Sequence, residues 1–341
     1  MSPSTEIRVT HSEMEEVFRN VLLKHSFDAS KAKECAGIFA DNSLDGVYTH
    51  GVNRFSRFIQ MVVENQVLPD KGPSKISSSG GMEQWDGNLG PGPSNAIFCT
   101  ERALQLANKN GIGCVALCNT NHWMRGGTYG WKAAKEGYAF ICWTNTIANM
   151  PAWGAKDSHL GNNPLIIAIP HNDDAIVLDM AISQFSFGAM EKFAMQQKTL
   201  PVMGGYDETG QMTTDPQKIL ETKRSLPIGY WKGSGLALLL DLLATILSGG
   251  KSTFEITAQK IESAVSQVFI AINLSSLPIS SGINSIINSI IKDYHSAEPD
   301  DTSNNILYPG ERVLQTRKEN VEIGIPVNID IWNEILALYR K

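Results

Sequence analysis

The 341-residue sequence lacks the short motifs that mark most nucleotide-binding and hydrolytic enzymes. It has no Gly-x-Gly-x-x-Gly between a strand and a helix, no P-loop, no His-Glu-x-x-His and no Gly-x-Ser-x-Gly. Its seven histidines are scattered, without the spacing of metal ligands. The sequence therefore carries no Rossmann fingerprint and no zinc- or serine-hydrolase motif, so motifs alone do not favour a nicotinamide enzyme, and we expect no metal site.

Three further absences limit the cellular location of the protein and the partners that it can bind. The net charge of −6 and the lack of a basic run argue against nucleic acid as a partner. The most apolar helix candidate, Leu236 to Leu247, is shorter than the roughly 20 residues of a membrane span, so we expect a buried core helix and no membrane partner. The start has no signal-peptide pattern and the five cysteines form no Cys-x-x-Cys pair, which predicts structural thiols and a cytoplasmic location.

The length and the residue pattern indicate a globular α/β protein with two structural units. The first 70 residues predict three amphipathic helices, whereas strands such as Ile112–Cys118 alternate with helices such as Ser94–Asn110 further on. We therefore predict a helical unit over residues 1–70, joined by a C-terminal helix over residues 328–341. Residues 71–327 are predicted to form a sheet-containing domain.

One histidine and one arginine lie four residues apart at the predicted start of the third helix, which runs from about His50 to Asn65. On a helix, residues at this spacing share a face, so His50 and Arg54 would lie side by side. An imidazole exchanges protons near neutral pH, and a guanidinium grips a carboxylate with two hydrogen bonds. The pair suits a 2-keto or 2-hydroxy acid, while the alternative is a capping histidine beside a surface arginine.

Three other stretches carry polar groups where α/β proteins place their sites. Asn119 to Gly130 follows a strand directly and contains His122. Asp179 is a carboxylate in an otherwise apolar strand and needs a partner there. The glycines of Gly229–Gly235 suit close approach to a ligand phosphate, and tight packing or capping explains them equally well.

Several separated segments resemble the type-2 malate/L-lactate dehydrogenase family, and the likeness runs through essentially the whole chain. The segments are Gly46–Phe55, Asn121–Gly127, Gly161–Pro164 and Gly229–Gly235. The resemblance implies a non-Rossmann, three-layer α/β fold with a mixed sheet that binds NAD(P), which agrees with the missing fingerprint. It also implies a homodimer that reduces a 2-keto sugar acid, with NADH preferred and NADPH possible.

The resemblance also assigns roles to individual residues. It implies that His50 donates the proton. Together with the His50/Arg54 pair, it leads to the hypothesis that Arg54 holds the carboxylate and that His122 contacts the substrate. Asp179 would act with His50 and raise the pKa of its imidazole, or would be a satisfied buried carboxylate. The implied cofactor contacts are Ala175, Ile176, Val177, Leu178, Asp179, Met180, Ala181, Trp231, Lys232, Gly310, Glu311 and Arg312.

Other functions remain open at this level. A reductase of the same family acting on malate- or lactate-type 2-keto acids would use the same residues. A cofactor-independent isomerase or lyase would use His50 as a base and Arg54 as a carboxylate anchor. A sugar-acid binding module would keep affinity for the ligand without turnover.

Overall fold

A computed structural model describes residues 6–300 and 305–340 of the chain. Residues 1–5 and 341 of the predicted helical unit, and residues 301–304 of the predicted sheet-containing domain, lie outside the described residues. The strands are β1 (Glu6–Val9), β2 (Ser74–Ser79), β3 (Met82–Asp86), β4 (Ile112–Thr120), β5 (Tyr138–Thr144), β6 (Met150–Pro151), β7 (Ser158–Leu160), β8 (Leu165–His171), β9 (Asp174–Met180), β10 (Gly205–Tyr206), β11 (Met212–Thr213), β12 (Val265–Asn273) and β13 (Ile325–Asn328). The helices are α1 (His11–Lys24), α2 (Ala29–Leu44), α3 (Val52–Val63), α4 (Gly92–Asn110), α5 (Gly127–Lys135), α6 (Phe187–Met195), α7 (Pro216–Thr222), α8 (Trp231–Ser248), α9 (Thr253–Ala258), α10 (Ile283–His295), α11 (Glu311–Ile323) and α12 (Ile329–Arg340).

A seven-stranded sheet with the order β2-β3-β4-β12-β5-β8-β9 forms the centre of the fold. Strands β3 and β4 run parallel, and every other neighbouring pair in this sheet is antiparallel. A Rossmann sheet is built from parallel strands with crossover helices, so this arrangement differs in kind. The predicted non-Rossmann mixed sheet is confirmed.

Helices cover both faces of this sheet and give the three predicted layers. Val115 and Leu117 of β4 belong to the core that also contains residues of α4 and α5. Ala116, between them, packs in a second core with Ala237 and Leu240 of α8. Because successive side chains of a strand point to opposite faces, the two cores lie on opposite sides of the sheet.

The N-terminal helices pack around an aromatic cluster together with the last helix. Phe18 of α1 stacks on Phe55 of α3 at 4.1 Å between ring centroids, and Trp332 of α12 meets Phe18 edge-on at 6.4 Å. Strands β1 and β13 pair antiparallel and bring residues from both ends of the chain together. The division into two domains stays a prediction.

Helix α8 differs from the predicted buried helix in length and in burial. It begins at Trp231 and not at Leu236, so Gly233 lies inside the helix, where a Cβ would lie 2.1 Å from the Ile228 carbonyl oxygen. One face, including Leu240, is buried, but Ile246 is 69% exposed, so the expectation of a buried core helix was wrong. Among the helices in residues 6–300 and 305–340, α8 alone is long and apolar enough to cross a membrane, and 28% of it is buried.

Candidate active site

His50 lies on a 3₁₀ turn, Tyr48–His50, and not on the third helix, which begins at Val52. Gly51 separates the two elements, and a Cβ there would lie 2.2 Å from Ser43 Oγ, which accepts a hydrogen bond from the Val52 amide. The side chain of Asn42 donates to the His50 carbonyl at 2.9 Å. The predicted helical spacing is therefore wrong for His50, although His50 and Arg54 line the same cavity.

His50 and His122 form a stacked pair of imidazoles. Their ring centroids are 5.6 Å apart and the rings are inclined by 16°. The Met124 amide donates to His122 Nδ1 at 3.0 Å, so Nδ1 is an acceptor and the neutral ring carries its proton on Nε2. His122 can thus donate one hydrogen bond without being charged.

Both imidazoles favour the neutral form. Burial, followed by the positive charge of Arg54, lowers the pKa of His50 to about 4. The Asp179 carboxylate acts in the opposite direction, as the sequence suggested, but it does not outweigh these two effects. Burial also lowers the pKa of His122 well below its ordinary value, with Arg54 and His50 adding to the effect.

Arg54 presents its positive charge to the cavity. It lies half-buried on α3, and within residues 6–300 and 305–340 no ion pair or hydrogen bond engages its guanidinium. Burial and the neighbouring Arg57 lower the pKa of Arg54, while Glu262 and Glu191 raise it. A poorly solvated guanidinium without a partner favours a bound anion, and its planar fork matches a carboxylate.

Asp179 lies on β9 and takes part in an ion network. Its Oδ2 accepts a hydrogen bond from the Gly127 amide at 2.9 Å and lies 3.4 Å from Arg125 Nε. Arg125 Nη1 in turn donates to Asp45, which also accepts from Arg317 Nε at 2.6 Å. In the described part of the chain, no hydrogen bond joins Asp179 directly to His50.

One cavity of about 980 Å³ collects most of the predicted groups. The predicted site residues that line it are His50, Arg54, His122, Val177, Leu178, Asp179, Ala181 and Gly310. Those outside its lining are Ala175, Ile176, Met180, Trp231, Lys232, Glu311 and Arg312. The structure thus unites the substrate-binding candidates with part of the cofactor-binding candidates, and it leaves the start of α8 apart from them.

The wall formed by β9 and the start of α11 contains those predicted cofactor contacts that line the cavity. The Val177 amide donates to the Pro309 carbonyl at 3.0 Å, which joins the two segments. Gly310 has φ of +97°, and a Cβ there would lie 3.2 Å from the Val177 amide nitrogen, so only glycine fits well. Helix α11 starts at Glu311 without a side-chain cap, but the Glu311 and Val313 amides already donate to the Tyr308 and Gly310 carbonyls. This wall therefore offers apolar contact and close backbone approach, and not a row of free amides.

Several lining residues were not among the predicted site residues: Arg57, Arg125, Thr146, Asn149, Asn162, Glu191, Lys260 and Glu262. The sequence held a signal for Arg125, because this residue follows His122 by three positions in a segment that carries the family resemblance. Glu191 and Glu262 reach the cavity from α6 and from the loop before β12, and no local pattern marks either.

Residues 9–336 match the family model described as malate/L-lactate dehydrogenase. The chain is 44% identical to a 2,3-diketo-L-gulonate reductase of Klebsiella pneumoniae over 333 residues, which cover 97% of this chain and 100% of that protein. A protein of the same name from Escherichia coli has the same identity and coverage. The chain therefore belongs to the malate/L-lactate dehydrogenase family.

Solved structures agree with this assignment. The chain superposes on malate dehydrogenase from Entamoeba histolytica with a TM-score of 0.93 and 25% identity, covering 99% of each chain. Sulfolactate dehydrogenase from Methanocaldococcus jannaschii gives a TM-score of 0.90 and 27% identity, covering 98% of this chain and 97% of that one. The protein is an oxidoreductase, and its family and neighbours point to a nicotinamide cofactor. These findings favour a dehydrogenase over the isomerase, the lyase and the binding module.

Proposed function

We propose that the protein reduces 2,3-diketo-L-gulonate to 3-keto-L-gulonate with NADH, NADPH being the second choice of reductant. The names of the relatives that are 44% identical over their full length support this substrate. The observation that carries the proposal is the half-buried Arg54 guanidinium, which has no partner in the described residues and shares its cavity with two neutral imidazoles. A 2-keto acid offers the carboxylate and the adjacent carbonyl that these groups match.

In the proposed reaction, Arg54 binds the substrate carboxylate and places the C2 carbonyl beside His50. The reduced nicotinamide supplies a hydride when it is bound. His50 gives a proton to the C2 oxygen, a step typically worth roughly 10²–10⁴-fold in rate. His122 donates its Nε2 proton in a hydrogen bond to a substrate oxygen, since the Met124 amide occupies Nδ1.

The low pKa of His50 is compatible with this role because the substrate is itself an anion. The positive charge of Arg54 is the largest charge effect that lowers the pKa of His50. A carboxylate bound to Arg54 offsets that charge and adds a negative charge near the ring, so the pKa of His50 rises on binding. His50 thus becomes a proton donor when the substrate is in place, and it stays neutral in the empty site.

A substrate panel tests the proposal. Oxidation of NADH and of NADPH is followed by absorbance with 2,3-diketo-L-gulonate, oxaloacetate and pyruvate as separate substrates. We expect the highest kcat/KM with the diketo acid and NADH. Higher activity on oxaloacetate, for which the likeness to a malate dehydrogenase is the supporting observation, would move the substrate to the simpler keto acids. No oxidation with any of the three would contradict a 2-keto acid reductase.

We also propose a homodimer in which α8 meets a second copy of the chain. The face of α8 that points away from the sheet carries Leu238, Leu239, Leu242, Leu243 and Ile246, each at least 45% exposed. A contiguous apolar face of this kind marks an interaction surface. The opposite face of α8 is fixed to the sheet, and its Asp241 accepts hydrogen bonds from Asn145 and Thr253, which favours a protein partner over a membrane.

Light scattering during gel filtration tests this interface. Leu242→Glu places a charge on the proposed interface, whereas Leu23→Glu makes the same change on α1 at a similar exposure, 43% against 45%. We expect a dimer for the wild type and for Leu23→Glu, and a monomer for Leu242→Glu. A monomeric wild type would contradict the proposal.

We further propose a cytoplasmic location and no nucleic-acid partner, in keeping with the net charge of −6.

A further inference from the structure

Arg125 is a buried cation at the edge of the active-site cavity that the proposed reaction leaves without a role. Its side chain is 4% exposed and lies between two carboxylates, Asp45 and Asp179. The guanidinium also packs over the Trp131 ring, 5.0 Å from the ring centroid. Asp45 is held from its other side by Arg317, so Arg125 is anchored independently of the cavity. A charge fixed in this way can hold a neighbouring carboxylate in place.

Arg125 and the Gly127 amide fix the orientation of the Asp179 carboxylate. Its Oδ2 faces both the Gly127 amide, at 2.9 Å, and Arg125 Nε, at 3.4 Å. A Cβ at position 127 would lie 2.7 Å from the same oxygen, so glycine is what permits this approach. The His50 ring has other contacts: its Nδ1 lies 3.2 Å from Thr49 Oγ1, and the ring stacks on His122.

We propose that Arg125 is a positioning residue that holds the Asp179 carboxylate apart from His50 and so limits the negative charge that His50 experiences. The consequence for proton transfer rests on the proposed function, in which His50 is the donor. The arrangement itself depends only on the ion network.

The charged and titratable groups that act on His50 come from four parts of the fold. Arg54 lies on α3, His122 follows β4, Arg125 precedes α5, and Asp179 lies on β9. Loss of Arg125 removes a positive charge near His50. It also releases the negatively charged Asp179 carboxylate, which Arg125 holds in place. Both changes favour the imidazolium, so both raise the pKa of His50.

The test is an NMR titration of histidines labelled with ¹³C at Cε1, without substrate or cofactor, with the His50 signal assigned by its loss in His50→Gln. In the wild type we expect the signal to titrate well below the ordinary range of histidine. Arg125→Met is expected to raise that midpoint by about one pH unit or more, as the gain of a nearby opposite charge does. Arg125→Lys keeps the charge and is expected to restore most of the wild-type behaviour.

Two further variants keep the result interpretable. Arg8→Met removes the same charge from an exposed pair with Glu6 and should leave the His50 midpoint unchanged. Arg125→Met alone leaves the buried Asp45 without its Arg125 partner, which can prevent folding. The double variant Asp45→Asn with Arg125→Met removes this unpaired charge, and we expect the same upward shift of the His50 midpoint. An unchanged midpoint in a folded variant that lacks Arg125 would overturn the proposal.

Turnover separates this proposal from the proposed function. If the midpoint shifts but no 2-keto acid is reduced, the positioning role stands and the proposed function fails. If the diketo acid is reduced and the midpoint does not shift, the proposed function stands and the positioning role fails. Where both hold, the basic limb of the kcat profile, on which the protonated donor is lost, should move with the His50 midpoint in Arg125→Met.

Discussion

The neutral state of the half-buried His50 predicts how the stability of the protein depends on pH. The pKa of His50 is about 4 in the fold, against 6.5 for an ordinary histidine. The unfolded chain therefore takes up a proton as the pH falls below about 6.5, and the fold does so only near pH 4. Stability is lost between these two values, and His50 alone accounts for about 3 kcal/mol of that loss.

His50→Gln isolates this contribution because glutamine does not titrate. The free energy of unfolding is measured by urea denaturation, followed by tryptophan fluorescence, from about pH 7.5 to about pH 4. Carboxylates titrate equally in both proteins, so they cancel in the difference. We expect the wild type to lose about 3 kcal/mol more than His50→Gln over this range. Burial of His122 contributes a loss of the same sign in both proteins.

His159→Gln is the matched control, since His159 is 70% exposed and pairs with the exposed Asp157. We expect this variant to follow the wild type at every pH. The reasoning is refuted if His50→Gln and the wild type lose the same free energy on acidification. In that case His50 would be protonated in the fold as easily as in the unfolded chain.

Further predictions concern binding and packing. Arg54→Met should raise KM for the diketo acid by about 10- to 100-fold, the value of a charged hydrogen bond, whereas an unchanged KM in steady-state kinetics would mean that Arg54 does not bind the carboxylate. Gly51→Ala places a Cβ 2.2 Å from a side-chain oxygen and should cost about 1–3 kcal/mol in urea denaturation, while Gly235→Ala, which meets nothing within 4 Å, is the control. Asp45→Asn should cost about 3–5 kcal/mol because Arg125 loses a buried partner, and adding Arg125→Met should recover part of it; equal losses would contradict the network.

Patterns within a few neighbouring residues were sufficient to predict some helices and strands. Strand β4 was predicted at Ile112–Cys118 and spans Ile112–Thr120, and α4 was predicted at Ser94–Asn110 and spans Gly92–Asn110. Pairing of β1 with β13 joins residues more than 300 positions apart, and nothing near Glu6 indicates it. The predicted helix α8 was too short at its start because Gly233 was assigned to a loop. In the structure Gly233 lies inside the helix and packs closely against Ile228.

The chemical types of the site residues were predictable, but their electrostatic state was not. His50, Arg54, His122 and Asp179 were all named from the sequence and the family resemblance, and all line one cavity. The sequence suggested a raised pKa for His50 because Asp179 was expected nearby. Burial and the charge of Arg54 reverse the direction, and both depend on three-dimensional packing that no local pattern encodes.

The central claim is that hydride reaches C2 of the diketo acid while His50 supplies the proton. A single-turnover reaction with NADH that carries deuterium at the transferred position tests both parts. We predict deuterium at C2 of the product, and a rate constant that is about 10²-fold or more lower in His50→Gln. Deuterium at another carbon, or an unchanged rate constant in His50→Gln, would contradict the account.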